Sequence, residues 1–139
     1  MPKILVVGGG IAGLAVALGL RRAGHTVQVF EASELTSEDT DGAVDQIGPK
    51  VNDILEKWGV DPLLTLPVPI KEAGWKFYER SKLHRGLLVL ATASTGPGHP
   101  LELFLGKKIE SVNPKSGSVS VEGGQTYHGT LSLELMGGM

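Results

Sequence analysis

Three glycines near the start of the chain and one acidic residue after them have the types and spacing of a nucleotide site. Gly8, Gly10 and Gly13 satisfy the pattern G-x-G-x-x-G. The first glycine allows a tight turn, the second lets the backbone approach a diphosphate, and the third lets a helix pack against a strand. Seventeen residues separate Gly13 from Glu31, whose carboxylate can accept hydrogen bonds from ribose hydroxyls. We therefore expect this segment to bind a diphosphate and a ribose.

A strand, a helix and a second strand must hold these residues in place. Residues 3–7 form a short β-branched apolar run, typical of a strand covered on both faces of a parallel sheet. From Ile11 the apolar residues follow helical spacing until Gly24, and residues 27–30 form the next strand. The pattern predicts a βαβ unit in which the amides at the N-terminus of the helix face the phosphates.

The remainder of the chain predicts further elements of the same α/β domain. An acidic stretch over residues 34–45, in which nothing apolar repeats, is typical of an exposed loop, and three prolines in residues 61–70 exclude a regular helix there. Glycine turns between short alternating runs predict a β-meander near the end. The other expected elements are helices over 51–58 and 83–90, strands over 75–78, 101–105 and 131–135, and meander strands over 108–113, 118–122 and 126–129.

Composition narrows the functional class. The chain has 139 residues and no cysteine, which excludes disulfides and thiolate metal sites. Thirteen basic and fifteen acidic residues give a net charge of −2, which argues against nucleic acid or an anionic membrane as partner and favours a small ligand. No segment approaches the roughly 18 consecutive apolar residues of a membrane span, and none resembles a secretory signal. We expect one cytoplasmic domain over residues 1–139.

Other reactive or aromatic side chains have simple structural interpretations. No histidine pair has metal-ligand spacing, so no metal site is predicted, and no serine has the context of a nucleophile. Arg21 and Arg22 complement the C-terminal end of the first helix. Catalytic residues remain unassigned. The acidic residues interpreted as exposed are Asp39, Asp41 and Asp45, and the aromatic residues interpreted as core packing are Trp58, Trp75, Phe77 and Tyr78.

The same residues resemble the opening of a known family. K-I-L-V-V-G-G-G-I-A-G-L-A at residues 3–15, with V-Q-V-F-E at residues 27–31, is similar to FAD-dependent aromatic-hydroxylase-type monooxygenases, the para-hydroxybenzoate and salicylate hydroxylase class. Residues 48–60 resemble the family's G-x-x-x-x-P-N-x-x-x-x-L-x-x-x-G-L stretch, and residues 80–85 resemble its R-x-x-L helix start. The resemblance covers almost the whole chain.

This resemblance implies a fold, a cofactor and a set of binding residues. The fold would be α/β, a Rossmann-like FAD-binding domain with a parallel sheet and a β-meander. FAD would be the cofactor, and residues 105–107 would lie beside its adenine. The residues implied to bind it are Gly8, Gly10, Ile11, Ala12 and Gly13 at the diphosphate, Glu31 at the adenosine ribose with Ala32 next to it, and Arg80 near the phosphates or the flavin.

Departures from the family pattern lower the oxidoreductase activity that we expect of this chain. Val44 stands where the family has glycine, and Lys50 where it has asparagine. The final residues lack the aspartate of the family's D-G motif, so NADPH as electron donor has no support, and the resemblance stops before the substrate domain. We therefore expect a truncated flavoprotein whose oxidoreductase activity is weak or depends on a partner.

Two alternatives remain open at this stage. The first is a non-catalytic dinucleotide-binding or oligomerising module, whose uncovered C-terminal edge pairs with a partner chain or its own copy. The second is a non-redox enzyme that reuses the nucleotide cleft. Its candidate acids and bases, which the sequence does not rank, are Asp45, Tyr78 and His84.

Overall fold

The computed structural model describes residues 2–34 and 43–134, which form two compact units. The first unit contains residues 2–34 and 91–134, and the second unit contains residues 43–90. The single domain expected over residues 1–139 stays a prediction. In chain order the elements are β1 (Lys3–Val7), α1 (Ile11–Arg22), β2 (Thr26–Phe30), β3 (Val44–Ile47), α2 (Pro49–Trp58), α3 (Pro62–Thr65), β4 (Val68–Pro69), β5 (Lys76–Glu79), α4 (Arg80–Thr92), β6 (Glu102–Phe104), β7 (Ile109–Asn113), β8 (Ser118–Val121), β9 (Thr126–Tyr127) and β10 (Leu131–Glu134).

A four-stranded parallel sheet is the centre of the first unit. Its strand order is β10-β1-β2-β6, so β1 lies between the next strand of the chain and the last one. Ile4 in β1 is in register with Val27 on one side and with Leu131 on the other. Ile4 and Val6 of β1 and Val27 and Val29 of β2 are buried because the sheet is covered on both faces, as the apolar runs predict.

The antiparallel meander β7-β8-β9 packs its apolar residues against one face of this sheet. Leu5, Phe30 and Val119 form the fully buried cluster of that contact. The rings of Phe30 and Phe104 stack with centroids 5.0 Å apart, and Tyr127 tilts against both. Side chains alternate across a strand, so Ile4 and Val29 face the opposite side.

The second unit contains a three-stranded antiparallel sheet of order β3-β5-β4 and the helices around it. Tyr78 of β5 is buried, and its hydroxyl donates to Oδ1 of Asn52 in α2 at 2.7 Å. The Asn52 amide donates in turn to the carbonyl oxygens of Ile47 and Gly74, at 3.0 and 2.7 Å. Every hydrogen-bonding atom of this buried side chain is therefore used, which fixes α2 on the sheet.

The predicted fold class is confirmed, and two local predictions are wrong. Val44 and Asp45 do not belong to an exposed loop, because they begin β3. The proline-rich stretch contains the short helix α3, which tolerates Pro62 at its first position because that amide needs no partner there. Asp61 caps α3 by accepting a hydrogen bond from the Leu63 amide at 2.9 Å. In the described ranges, no helix has the length and apolarity needed to cross a membrane.

Candidate functional site

The glycine loop begins with a backbone turn at the end of β1. Gly8 has a φ of 111°, a conformation that side chains with a Cβ rarely adopt. Its amide donates to the carbonyl oxygen of Phe30 at 2.8 Å, which joins the loop to the end of β2. The first glycine of the pattern therefore makes the tight turn that the sequence predicts.

The N-terminus of α1 is open to an anion. Gly10 is the N-cap residue with an extended backbone, and within the described chain no side chain caps the helix and no acidic residue lies in its first turn. The amides of Ile11, Ala12 and Gly13 lie where a helix has no partner of its own for them. Because the helix dipole adds partial positive charge there, this terminus suits a diphosphate.

Glu31 is held against the glycine loop by two backbone amides. Its Oε1 accepts from the amide of Gly9 and its Oε2 from the amide of Ser33, both at 2.8 Å. A Cβ on Gly9 would lie only 3.0 Å from Cβ of Glu31, so glycine permits the close approach. Carboxylate oxygens accept hydrogen bonds, and the half-buried Glu31 carboxylate at the end of β2 is the type of acceptor that binds ribose hydroxyls in dinucleotide sites.

The segment after β6 runs beside Glu31. The Glu31 amide donates to the carbonyl oxygen of Phe104, and its carbonyl accepts from the amide of Lys107, both at 2.9 Å. Gly106 donates to the carbonyl oxygen of Ser33 at 3.2 Å. Residues 105–107 therefore lie next to Glu31, which exposed Ala32 follows in the chain. Their contact with adenine stays a prediction.

Arg80 belongs to the second unit and forms a two-point ion pair. Its Nε donates to Oδ2 of Asp45 at 3.0 Å and its Nη2 to Oδ1 at 2.9 Å. The hydrogen bonds and charge of Asp45 raise the pKa of the guanidinium above its usual value. The interpretation of Asp45 as an exposed loop residue is wrong, because its side chain is only 26% exposed. The contact of Arg80 with phosphate or flavin stays a prediction.

Arg21 is a structural residue that the sequence interpretation missed. It is 2% exposed and does not simply complement the helix end. Its guanidinium donates to three carbonyl oxygens, those of Ala91, Thr95 and Pro97, at 2.9, 3.0 and 3.1 Å. The available signal was spacing, because Arg21 follows Leu14, Ala17 and Leu18 on one helical stripe.

A cavity of about 430 Å³ opens on the second unit, lined mainly by apolar side chains. Phe77, interpreted as core, is 38% exposed there, whereas Tyr78 is buried as expected. Leu66, another lining residue, has a positive φ of 47°, which is unusual for a branched side chain. This sheet face therefore presents partly exposed apolar surface.

Comparison with known proteins assigns the chain to a family. The sequence model of the family "FAD dependent oxidoreductase" matches residues 3–121, and the chain belongs to this family. The FAD-dependent monooxygenase cfoG of Aspergillus candidus is 30% identical over 88% of this chain and 34% of its own length. The expected resemblance to FAD-dependent monooxygenases is thus confirmed, and the family supports FAD as cofactor. It favours a flavoprotein over the two alternatives.

Solved structures show the same fold. A mutant of 2-methyl-3-hydroxypyridine-5-carboxylic acid oxygenase superposes with a TM-score of 0.79 at 22% identity, covering 95% of this chain and 38% of that one. The tetrameric form of the same oxygenase gives 0.74 at 24% identity, covering 94% of this chain and 38% of that one. The chain therefore spans little more than a third of the length of the proteins it matches.

Proposed function

We propose that this chain binds FAD, with the glycine loop and the N-terminus of α1 on the diphosphate and Glu31 on the adenosine ribose. The observation that carries the proposal is the position of the Glu31 carboxylate, 2.8 Å from the Gly9 amide and beside a helix that no described side chain caps. These residues fit FAD because the backbone amides at the N-terminus of α1 can donate to the phosphates and the Glu31 carboxylate can accept from the ribose.

Each residue has a proposed role. Gly8 makes the turn, and Gly10, Ile11, Ala12 and Gly13 bring the backbone and its amides to the diphosphate. Glu31 accepts from ribose hydroxyls and disfavours a dinucleotide with a 2′-phosphate, because the two negative charges would repel. Ala32 and residues 105–107 border the adenine. Arg80 donates to the phosphates or the flavin.

The proposed activity is a flavin-dependent oxidation of the monooxygenase type. FAD supplies the electron-transfer and oxygen chemistry, and the residues named above bind and orient its nucleotide half. NADPH is proposed as electron donor on the family resemblance alone, without the aspartate of the D-G motif to support it. The proposed location is the cytoplasm, and residues 1–139 are proposed to act as one domain. We also propose that a partner chain or a second copy covers the C-terminal edge of the chain and raises a weak activity, and the tetrameric form of a structurally similar oxygenase supports this.

The test is cofactor binding by the full chain. FAD is titrated against the purified protein by flavin fluorescence, and ADP and FMN are added as competitors. The proposed contacts of the glycine loop, of the α1 N-terminus and of Glu31 are all with the ADP half, so ADP should displace FAD and FMN should not. A chain that binds no FAD, or binds it unaffected by ADP, contradicts the proposal.

A further inference from the structure

We propose that Glu34 is a specificity-determining residue, whose carboxylate accepts a hydrogen bond from the amino group of adenine and so selects this base over bases with an oxygen in its place. The inference rests on the proposed function, in which residues 105–107 border the adenine. It adds a side chain that neither the glycine pattern nor the resembling stretches include, since the sequence interpretation placed Glu34 in an exposed acidic loop.

The Glu34 carboxylate lies against Gly106, the middle residue of that segment. A Cβ on Gly106 would be 2.8 Å from Oε1 of Glu34 and 3.9 Å from its Cδ. Gly106 is exposed and has a φ of 64°, a conformation that favours glycine. The lack of a side chain at this position therefore leaves room for the carboxylate next to the residues that are proposed to border the base.

Backbone hydrogen bonds join the segment that carries Glu34 to residues 105–107. The Gly106 amide donates to the carbonyl oxygen of Ser33 at 3.2 Å, and the Lys107 amide donates to that of Glu31 at 2.9 Å. Both segments belong to the first unit. Because Glu34 directly follows Ser33, its side chain starts from a backbone that is tied to Gly106.

The two carboxylates of this segment have different neighbours. Glu31 accepts from the amides of Gly9 and Ser33, so its carboxylate is directed to the glycine loop and to the ribose that we propose there. Within residues 2–34 and 43–134, no hydrogen bond or ion pair engages the Glu34 carboxylate. Its oxygens are therefore available to a donor on a ligand.

The chemistry of a carboxylate determines which base it favours. An ionised carboxylate accepts hydrogen bonds and donates none. Adenine carries an amino group at C6, which donates, whereas guanine and hypoxanthine carry an oxygen there, which accepts. With these two bases, two acceptors would face each other without a hydrogen between them. Glu34 thus favours adenine partly by attracting it and partly by disfavouring the alternatives.

The experiment compares ADP with inosine diphosphate, which has an oxygen in place of the amino group at C6. Both are used to displace FAD from the full chain, and flavin fluorescence gives their dissociation constants. The wild type should bind ADP roughly five- to tenfold more tightly, a modest preference because Glu34 is exposed to water. In Glu34→Gln the amide both donates and accepts, so the two constants should become about equal.

The ratio of the two constants separates base recognition from charge. Loss of the negative charge of Glu34 should strengthen the binding of both diphosphates by the same factor, which cancels in the ratio. Glu34→Ala, which has neither donor nor acceptor in its side chain, should also bind the two diphosphates about equally. Glu110→Gln removes a carboxylate at another exposed position of the first unit and is the matched control, in which the wild-type ratio should persist.

Two results would overturn the inference in a chain that binds FAD. Equal affinities of the wild type for the two diphosphates would mean that Glu34 does not contact the amino group. A preference for ADP that persists in Glu34→Gln and Glu34→Ala would assign the selection to another group. A wild-type chain that binds neither FAD nor ADP removes the proposed function as well, so the two failures are distinguishable.

Discussion

The amide of Gly9 donates to Oε1 of Glu31 at 2.8 Å, although 22 positions separate the two residues in the chain. The contact joins the loop after β1 to the end of β2. It also explains why the middle glycine of the Gly8–Gly10 run is glycine, although the pattern G-x-G-x-x-G leaves that position open. The position of the carboxylate and the residue type at position 9 depend on each other.

Gly9→Ala should therefore weaken FAD binding as well as the fold. The new Cβ would lie 3.0 Å from Cβ and 3.3 Å from Cγ of Glu31, so the acidic side chain must shift by a few tenths of an ångström. We expect a loss of about 1–2 kcal/mol in the free energy of unfolding, with a several-fold higher FAD dissociation constant. Urea unfolding and FAD titration measure the two effects.

The control for this variant is Gly123→Ala. A Cβ on Gly123 meets nothing within 4 Å, but the residue has a φ of 103°. Its substitution should cost about 1–2 kcal/mol of stability without changing FAD affinity. Equal FAD affinities for Gly9→Ala and the wild type would show that the position of Glu31 does not control binding.

Glu31→Ala should have the largest effect on FAD affinity among these variants. It removes the acceptor of the Gly9 and Ser33 amides together with the proposed ribose contact. The loss of these two hydrogen bonds should cost about 1–3 kcal/mol of stability, and FAD and ADP affinities should fall by roughly tenfold, the equivalent of one lost charged hydrogen bond. Glu31→Gln keeps an acceptor oxygen and should be intermediate. Exposed Glu110→Ala is the control, and an unchanged ADP affinity in Glu31→Ala would count against the ribose contact.

Arg21→Met should destabilise the chain without a direct effect on the nucleotide contacts. The substitution removes the side-chain donor of the Thr95 and Pro97 carbonyl oxygens and one donor to the Ala91 carbonyl oxygen, which also accepts from the Leu101 amide. We expect a loss of about 3 kcal/mol in the free energy of unfolding, measured in urea. Arg22→Met, one position further along α1, should cost less than about 0.5 kcal/mol. Similar midpoints for the two variants would contradict a structural role of Arg21.

Tyr78 should make stability depend on alkaline pH. Burial raises the pKa of its hydroxyl above the ordinary value of 10.0. The unfolded chain then loses this proton at a lower pH than the folded chain, so the contribution is fully present below pH 10 and is lost as pH rises through the folded pKa. Tyr78→Phe should flatten this loss in urea titrations across pH 9–11.

The same substitution has a cost at neutral pH. Tyr78→Phe leaves Oδ1 of Asn52 without its donor, and about 1–3 kcal/mol of stability should be lost. Tyr127→Phe, which leaves the hydrogen bond between Tyr78 and Asn52 intact, is the matched control for this loss at neutral pH. A pH profile that is identical in Tyr78→Phe and the wild type would exclude Tyr78 as its source.

The first βαβ unit could be predicted because its determinants are local. The strand at residues 3–7, the helix start at Ile11 and the turn at Gly8 follow from the residue types at those positions. Strand β3 could not be predicted in this way. Its sequence V-D-Q-I alternates between exposed and half-buried residues, and it becomes a strand because β5, about thirty residues later, supplies its partner.

The candidate site likewise contains residues that the local sequence predicts and residues whose partners lie far away in the chain. Glu31 could be predicted because an acidic residue at the end of the second strand is part of the dinucleotide pattern. The pairing of Asp45 with Arg80 could not, because 35 positions separate the two residues. The burial of Arg21 depends on carbonyl oxygens some seventy positions away. Because a charged residue in the last turn of a helix is usually exposed to solvent, the sequence interpretation did not assign Arg21 to the core. Its spacing, however, places it on the buried stripe of α1.

The central place of β1 has a consequence for synthesis of the protein. One edge of β1 pairs with β2, but the other pairs with β10, whose first residue in register, Leu131, comes 127 positions after Ile4. At 5–20 residues per second the ribosome needs roughly 5–20 s to make the hundred or so residues between β2 and β10. During that interval the nascent chain already contains the glycine loop, but β1 has one edge that is not yet paired. An unpaired strand edge is a template for pairing with another chain, so the nascent protein is open to aggregation, and in need of chaperones, until the sheet closes.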